Sequence, residues 1–156
     1  MKLFAICGMP ASGKTTLAQE IIKKYSAILL SEDEWMKDLI GIYDNDEMRN
    51  NIAKLHKKIA SKLLIQGINI VMDGGCYSKT ERDDLRKIAL DSNANFELHY
   101  LKTDLSILNS RRIKRNANLK SEFHTTEENF KKAETFFQAP KEVENPIIYI
   151  NNHLIK

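Results

Sequence analysis

A phosphate-binding segment lies near the start of the chain, where glycines, a lysine and two threonines follow the spacing G-x-x-x-x-G-K-[ST]. The segment consists of Gly8, Met9, Pro10, Ala11, Ser12, Gly13, Lys14, Thr15 and Thr16. Glycines let the backbone wrap closely around phosphate oxygens with its N–H groups turned inward. The lysine of this pattern reaches the β- and γ-phosphates, and the Thr15 hydroxyl suits Mg²⁺. We therefore expect residues 8–16 to bind ATP with Mg²⁺.

A carboxylate that can share the metal ion follows an apolar run in the middle of the chain. Residues 68–72 are mostly apolar, and Asp73 comes directly after them. Because doubly wound sheets bind ligands at the carboxyl ends of their strands, we expect Asp73 beside the phosphate-binding segment. Its predicted role is to hold Mg²⁺ directly or through water. The alternative is a turn or helix-capping aspartate before Gly74 and Gly75.

A second candidate carboxylate follows another apolar run, residues 27–30. Here the chain continues with Ser31 and three acidic residues, Glu32, Asp33 and Glu34. A carboxylate at this strand end faces the γ-phosphate from the acceptor side and can take the proton of an attacking hydroxyl. We predict that Asp33 is this general base. Glu32 and Glu34 compete for the role, and Ser31 or Asp33 could instead cap the following helix.

A basic cluster without acidic neighbours occupies residues 111–120. Its members are Arg111, Arg112, Lys114, Arg115 and Lys120. Arg111 and Arg115 are four residues apart, so they share one face of a helix. Guanidinium groups can neutralise the charge on a phosphoryl group during its transfer. We predict that Arg111 and Arg115 are catalytic, against the alternative of a solvated charged face.

Apolar runs alternate with segments of helical periodicity and define the fold class. The predicted strands are residues 3–7, 27–30, 68–72, 96–100 and 147–150. The longest helical stripe runs from Asp46 to Gln66. Capping boxes are predicted at Ser78 with Glu81 and at Thr125 with Glu128. This alternation predicts an α/β fold, a three-layer sandwich with a five-stranded parallel sheet between helices.

Length, composition and charge are typical of one globular domain. The 156 residues are 42% hydrophobic and 29% charged and contain no repeat or low-complexity linker, so residues 1–156 are expected to form a single domain. A formal net charge of +3 permits a nucleic-acid partner but does not favour one. No apolar run approaches the ~20 residues of a membrane span. Two cysteines, Cys7 and Cys76, without metal-ligand spacing indicate reduced thiols and a cytoplasmic protein.

With these residues in place, the chain resembles the small, single-domain "predicted kinases" of bacteria. These are P-loop proteins related to polynucleotide 5′-hydroxyl kinases, zeta toxins and chloramphenicol phosphotransferase. The likeness covers nearly the whole chain and rests on four segments. They are residues 8–16, Ser31-x-Asp33, residues 71–75 leading to Arg82, and Arg111-x-x-x-Arg115-Asn116 followed by residues 136–142.

This resemblance implies a sheet order of 2-3-1-4-5 and a helical lid at about residues 111–125. It implies that Lys14 and Thr15 bind the phosphates and the metal, that Asp33 is the acceptor base, and that the arginines belong to the lid. The leading hypothesis is an ATP-dependent phosphotransferase acting on a hydroxyl, with a small molecule favoured over a polynucleotide 5′-hydroxyl. The alternatives are a regulatory ATPase and a module that binds nucleotide without catalysis.

Overall fold

The computed structural model describes residues 1–41, 45–74, 76–118 and 124–155. These residues form six strands and six α-helices. In chain order they are β1 (Lys2–Cys7), α1 (Lys14–Tyr25), β2 (Ile28–Ser31), α2 (Glu32–Ile40), α3 (Asp46–Ile65), β3 (Ile70–Asp73), α4 (Lys79–Asp91), β4 (Asn95–Lys102), α5 (Leu105–Ala117), α6 (Glu127–Phe136), β5 (Ile147–Ile150) and β6 (His153–Leu154). A short 3-10 helix, Glu142–Glu144, precedes β5. Within those ranges, no helix combines the length and the apolar character that crossing a membrane requires.

The strands form one sheet in the order β2-β3-β1-β4-β5-β6. The first five are parallel, which confirms the predicted order, while β6 pairs antiparallel with β5. The predicted number of five strands was wrong because β6 spans only two residues and leaves no apolar run in the sequence. It follows a two-residue turn at Asn151 and Asn152, both with positive φ (49° and 73°), the geometry of a tight hairpin.

Strand β1 is central and buried on both faces, which confirms the three-layer architecture. Its residues Leu3, Ala5 and Cys7 belong to a core cluster shared with α3 and α4. The alternate residues, Phe4 and Ile6, belong to a second cluster shared with α1. All five are fully buried, as expected for a strand with helices on either side. This packing fixes the carboxyl end of β1, from which the phosphate-binding segment leaves the sheet.

A smaller apolar cluster attaches helices α5 and α6 to the phosphate-binding segment. It joins Met9 of that segment to Leu108 of α5 and Phe130 of α6, all three of them buried. The helix that carries the basic cluster is therefore packed directly beside the loop that it is predicted to cover. Residues 119–123 of the predicted lid, with Lys120, lie outside the described residues, as does Gly75.

One predicted helix cap is confirmed and the other is wrong. Ser78 and Glu81 form a capping box at the start of α4, with hydrogen bonds in both directions. At the start of α6, however, the cap is Thr126, whose hydroxyl accepts a hydrogen bond from the Asn129 amide at 3.1 Å. Thr125 does not cap because its hydroxyl, carbonyl and amide all contact α5. A tertiary contact thus overrides the local pattern.

Candidate active site

The phosphate-binding segment is a tight loop between β1 and α1 that has little room for side chains. A Cβ atom at Gly8 would lie 2.6 Å from Ser12 Oγ and 3.1 Å from the Leu101 carbonyl oxygen. Gly13 has a φ of 101°, and Ala11 also adopts a left-handed φ of 66°, a conformation that costs a non-glycine residue energy. Ser12 Oγ is buried without a hydrogen-bond partner among the described residues. The loop is a close-fitting backbone cradle of the kind that binds phosphate.

Helix α1 begins at this loop with its amino end open to an anion. The residue before the helix, Gly13, provides no side-chain cap, and the first turn contains no acidic residue. The first N–H groups of a helix lack partners inside the helix and favour negative charge. Lys14, the first helical residue, folds back over the loop and donates from Nζ to the carbonyl oxygens of Gly8 (3.1 Å) and Met9 (3.2 Å).

Groups from three other segments act electrostatically on Lys14. Burial works to lower the Lys14 pKa, but Tyr77, Asp73 and Asp33 outweigh it and raise the pKa. The lysine is therefore fully charged at neutral pH. The sequence predicted Lys14, Asp33 and Asp73 as parts of one site. They come from α1, α2 and β3, and the charges of both carboxylates act on Lys14.

The predicted metal-binding pair is also close together. Asp73 is the last residue of β3, and Thr15 Oγ1 lies 3.5 Å from its Oδ2. Burial raises the Asp73 pKa, while the charge of Lys14 opposes the increase. The capping alternative for Asp73 is wrong, since Ser78 caps α4. A hydroxyl and a carboxylate fit Mg²⁺, which prefers oxygen ligands, takes one or two from the protein and completes its shell with phosphates and water.

No larger metal centre is present among the described residues. They contain no group of three or more His, Cys, Asp and Glu side chains that could hold a metal ion. The two cysteines, Cys7 and Cys76, are buried free thiols. Thr15 and Asp73 form a smaller set of oxygen ligands, which lies next to the phosphate cradle.

Asp33 faces solvent at the start of α2, next to the carboxyl end of β2. Ser31 caps this helix, accepting a hydrogen bond from the Glu34 amide at 3.4 Å, so Asp33 is not the cap. The Asp33 side chain is 57% exposed and accepts a hydrogen bond from Arg49 Nη1 at 2.8 Å. Glu32 is buried beneath it, with 8% of its side chain exposed. Of the three acidic neighbours, Asp33 thus combines access from solvent with a defined partner.

The two arginines of α5 that are predicted to be catalytic differ in their surroundings. Burial lowers the Arg115 pKa, and the charge of Asp33 opposes the decrease. Arg115 Nη2 also donates to Thr125 Oγ1 at 2.6 Å. Arg111, one turn earlier, is partly exposed, and the described residues include no hydrogen bond or ion pair to its side chain.

Arg112 is buried, although the sequence showed it only as one more basic residue of the cluster. Its guanidinium donates to Asn109 Oδ1 at 2.8 and 3.1 Å and to the Thr125 carbonyl at 3.3 Å. The same group lies 5.6 Å from the centre of the Phe130 ring. Arg112 therefore ties α5 to the start of α6.

Two residues that the sequence reasoning missed, Arg49 and Tyr77, interact with residues of the predicted site. Arg49 is in the first turns of α3 and pairs with Asp33. Burial raises the pKa of the Tyr77 hydroxyl, opposed by Lys14, and Asp33 and Arg49 also act on it. The Tyr77 ring is edge-on to Phe137, with 6.1 Å between ring centres. No spacing in the sequence connects these residues, although the position of Tyr77 in the loop after β3 was a usable signal.

A buried ion pair holds the loop that carries Tyr77. Arg82 Nε lies 2.7 Å from Glu144 Oε2, Arg82 Nη2 lies 3.1 Å from Oε1, and both side chains are almost completely buried. Arg82 Nη1 also donates to the carbonyl oxygens of Cys76 (3.1 Å) and Gln138 (2.8 Å). Arg82, which the family resemblance had singled out, thus fastens the loop after β3 to the segment before β5.

Comparisons with known proteins agree with this geometry. A family model named AAA_33 and described as an AAA domain matches residues 3–140. No curated protein matches the sequence. A gluconokinase from Sinorhizobium meliloti 1021 is similar in structure, with a TM-score of 0.68, 15% identity, and coverage of 96% of this chain and 82% of that one.

Two further structures show the same fold. The APS kinase of Mycobacterium tuberculosis, solved with AMPPNP and APS, has a TM-score of 0.67 and 19% identity, covering 96% of this chain and 87% of that one. A chain of the Pnkp1/Rnl/Hen1 RNA repair complex has a TM-score of 0.70 and 20% identity, with 86% of this chain matched to 43% of that one. The protein belongs to the AAA_33 family and has the fold of the P-loop kinases.

Proposed function

We propose that this protein is an ATP- and Mg²⁺-dependent phosphotransferase that transfers the γ-phosphate of ATP to a hydroxyl group of a small molecule. The observation that supports this most is that Asp73 lies 3.5 Å from Thr15 at the phosphate cradle that Lys14 closes, with Asp33 acting electrostatically on Lys14 and Asp73. In the proposed unit, residues 1–156 act as one kinase domain with a lid at about 111–125. Free buried thiols at Cys7 and Cys76 fit a cytoplasmic setting.

In the proposed reaction, the backbone of residues 8–16 and the Lys14 ammonium hold the phosphates. Thr15 and Asp73 would hold Mg²⁺, which when bound neutralises charge on the phosphate oxygens. The acceptor oxygen forms a bond to the γ-phosphorus while the bond from that phosphorus to the β–γ bridging oxygen breaks and ADP leaves. Asp33 takes the proton of the hydroxyl, and Arg115 stabilises negative charge on the group in transfer.

The charge of the acceptor side favours a small molecule over a nucleic-acid end. Glu32, Asp33 and Glu34 lie together at the carboxyl end of β2, and Asp73 acts electrostatically on Glu32 and Glu34. These carboxylates offset the positive charge of Arg49, so the acceptor side lacks the concentrated basic face that would bind a polyanionic strand, whereas a neutral alcohol needs no such face. The polynucleotide alternative is kept because a chain of an RNA repair complex shares the fold.

The experiment that tests the proposal is an acceptor screen with ATP labelled in its γ-phosphate. Separate reactions contain sugars and polyols, amino alcohols, 5′-hydroxyl oligonucleotides, or no acceptor, and each is repeated with Asp33→Asn. We expect label on a small-molecule product in the wild-type reaction and its near absence in the variant. Label on the oligonucleotide would establish the polynucleotide reading. Release of phosphate to water at one rate in every reaction would overturn the proposal in favour of an ATPase.

A further inference from the structure

Arg49 lies between two carboxylates that differ sharply in their surroundings. Its Nη1 atom is 2.8 Å from Asp33 Oδ1 and 3.7 Å from Glu32 Oε2. The Asp33 side chain is 57% exposed, whereas that of Glu32 is 8% exposed. The other oxygen of Glu32, Oε1, is buried without a hydrogen-bond partner among the described residues. One guanidinium group thus has a close, solvent-facing partner and a second, buried one within short reach.

The space around Glu32 is shaped to hold its carboxyl group. A Cβ atom at Gly74 would lie 2.7 Å from Glu32 Cδ and 2.8 Å from Cγ, so the Glu32 side chain packs where a side chain at position 74 would begin. A buried carboxylate with an unsatisfied oxygen costs free energy unless something compensates it. An ionised Glu32 therefore needs a cationic partner within reach.

The charged groups around Glu32 come from four elements. Burial raises the Glu32 pKa to about 7, and Arg49 opposes the increase while Asp33, Glu81 and Asp73 add to it. The Tyr77 hydroxyl and the Cys76 thiol are also within its electrostatic reach. Of these groups, Arg49 carries the positive charge that can compensate an ionised Glu32.

We propose that Glu32 is a positioning residue that takes Arg49 over from Asp33 when the acceptor binds, and so frees the Asp33 carboxylate to accept the hydroxyl proton. The inference rests on the proposed function. A carboxylate held by a guanidinium at 2.8 Å is partly neutralised and has one oxygen engaged, which makes it a poorer base. The required movement is about 1 Å, the difference between the two Arg49 distances. Glu32 gains the partner that compensates its burial.

The competing explanation is a static clamp in which Arg49 only fastens α3 to α2. A clamp needs the Asp33–Arg49 pair but gives Glu32 no part in the reaction. The handover makes Glu32 and Asp33 competitors for one guanidinium, so removing either one changes how the other behaves. This difference can be measured with and without catalysis.

The measurement without catalysis follows the Glu32 carboxyl carbon by NMR during a pH titration. Asp33→Asn removes the competitor, so Arg49 moves onto Glu32, and the Glu32 pKa falls from about 7 by about one unit or more. The same replacement in an Arg49→Gln background should give less than half of that fall, because only the lost charge of Asp33 then acts. Equal falls in the two backgrounds would overturn the handover.

The measurement with catalysis uses Glu32→Gln, which keeps the shape beside Gly74 and removes the charge. We expect kcat for transfer to fall about tenfold, a fraction of what a general base supplies, while ATP affinity stays within two-fold. In the Arg49→Gln background the same change should have no further effect. Asp38→Asn, an exposed change on the same helix, is the matched control.

The two measurements separate the possible failures. An unchanged kcat in Glu32→Gln, or equal losses with and without Arg49, would overturn the positioning role even if the kinase reaction is established. If the wild-type protein phosphorylates none of the acceptor pools, the proposed function fails, and the NMR titration still decides whether Arg49 passes between the two carboxylates.

Discussion

The phosphate cradle and the proposed acceptor side are built in different ways. The cradle is one run of nine residues, 8–16, and Lys14 makes its hydrogen bonds to carbonyl oxygens of the same run. The acceptor side is assembled from Asp33 on α2, Arg49 on α3 and Tyr77 after β3. A site formed by one continuous segment can be recognised in the sequence as a motif. A site formed by side chains from separate elements can be recognised only in the tertiary structure.

This difference has a functional consequence. Changes in the cradle should act on nucleotide affinity, because the cradle contacts the phosphates in the ground state. Changes on the acceptor side and in the lid should act on turnover, since their groups meet the reacting atoms mainly in the transition state. Variants in each region therefore show whether that region affects nucleotide affinity or turnover.

The largest effect is expected for Asp33→Asn. Because the amide cannot take the hydroxyl proton, acceptor phosphorylation should fall by about 10²–10⁴. The rate of transfer to the acceptor found in the screen is the measurement, with Asp38→Asn as the control. If transfer continues near the wild-type rate, Asp33 is not the base, and Glu34 becomes the candidate.

The Arg82–Glu144 pair tests whether the acceptor side can be weakened without touching the cradle. Glu144→Gln leaves a buried guanidinium without its counter-charge, which should lower the free energy of unfolding by about 3–5 kcal/mol. Urea unfolding measures this loss, with the exposed Glu142→Gln as the matched control. ATP affinity under native conditions should stay within a few-fold. A loss no larger than that of the control would show that the pair does not hold the loop after β3.

The lid arginines come next in expected size. Arg115→Ala should lower kcat by about 10²–10³ and change nucleotide affinity less, since charge on the phosphoryl group shifts in the transition state. Arg115→Lys should restore part of the rate because an ammonium lacks the planar fork. Arg111→Ala should have the smaller effect, because the described residues give its side chain no hydrogen bond to hold it in place, whereas Arg115 donates to Thr125.

Salt dependence separates this role from backbone binding of a nucleic acid. Steady-state kinetics of Arg115→Ala at two salt concentrations is the measurement. A defect confined to the acceptor KM that changes with salt would contradict the lid role and favour a polynucleotide acceptor.

The smallest effect concerns the contact between α2 and α3. His56 is fully enclosed, lies 4.6 Å from the Trp35 ring centre, and has its pKa lowered by burial to about 4. A depressed pKa in the folded state means that the unfolded chain binds the proton more readily. The stability due to His56 is therefore complete above pH ~6.5 and is lost progressively as pH falls toward ~4, by at most about 3 kcal/mol.

His56→Phe keeps an aromatic ring against Trp35 and removes the titration. As the pH is lowered from 7 to 4.5, the free energy of unfolding should fall more for the wild type than for this variant. A difference that stays constant over this range would show that His56 is not buried as a neutral ring.

Much of the fold was predictable because its signals are local. The five parallel strands, the Ser78–Glu81 cap and the position of Asp73 at a strand end follow from short patterns in the sequence, while the strand order was implied by the family resemblance. The Thr125 cap was wrong because Arg115 and Asn116 compete for the same residue through space. Strand β6 was missed because two residues carry no periodicity.

The acceptor side was predictable only in part. Asp33 was found because a carboxylate directly after a strand is expected at the ligand-binding edge of a parallel sheet. Its partner Arg49 looks like one more polar residue of a long amphipathic helix. Glu32 appeared equivalent to its acidic neighbours, although it is buried and they are exposed. Burial of a charged side chain depends on what packs over it, in this case Gly74 and Arg49, and no spacing records that.

The most direct test of the account is ATP binding by calorimetry for Lys14→Ala and Asp33→Asn, measured side by side with the wild type in Mg²⁺. Lys14→Ala removes charged hydrogen bonds to phosphate and should weaken ATP by about 10- to 100-fold. Its thermal unfolding should be close to that of the wild type, because Lys14 Nζ donates its hydrogen bonds to carbonyl oxygens of the loop itself. Asp33→Asn should bind ATP within a few-fold of the wild type. Unchanged ATP affinity in Lys14→Ala, or equal losses in both variants, would contradict the division between the phosphate cradle and the acceptor side.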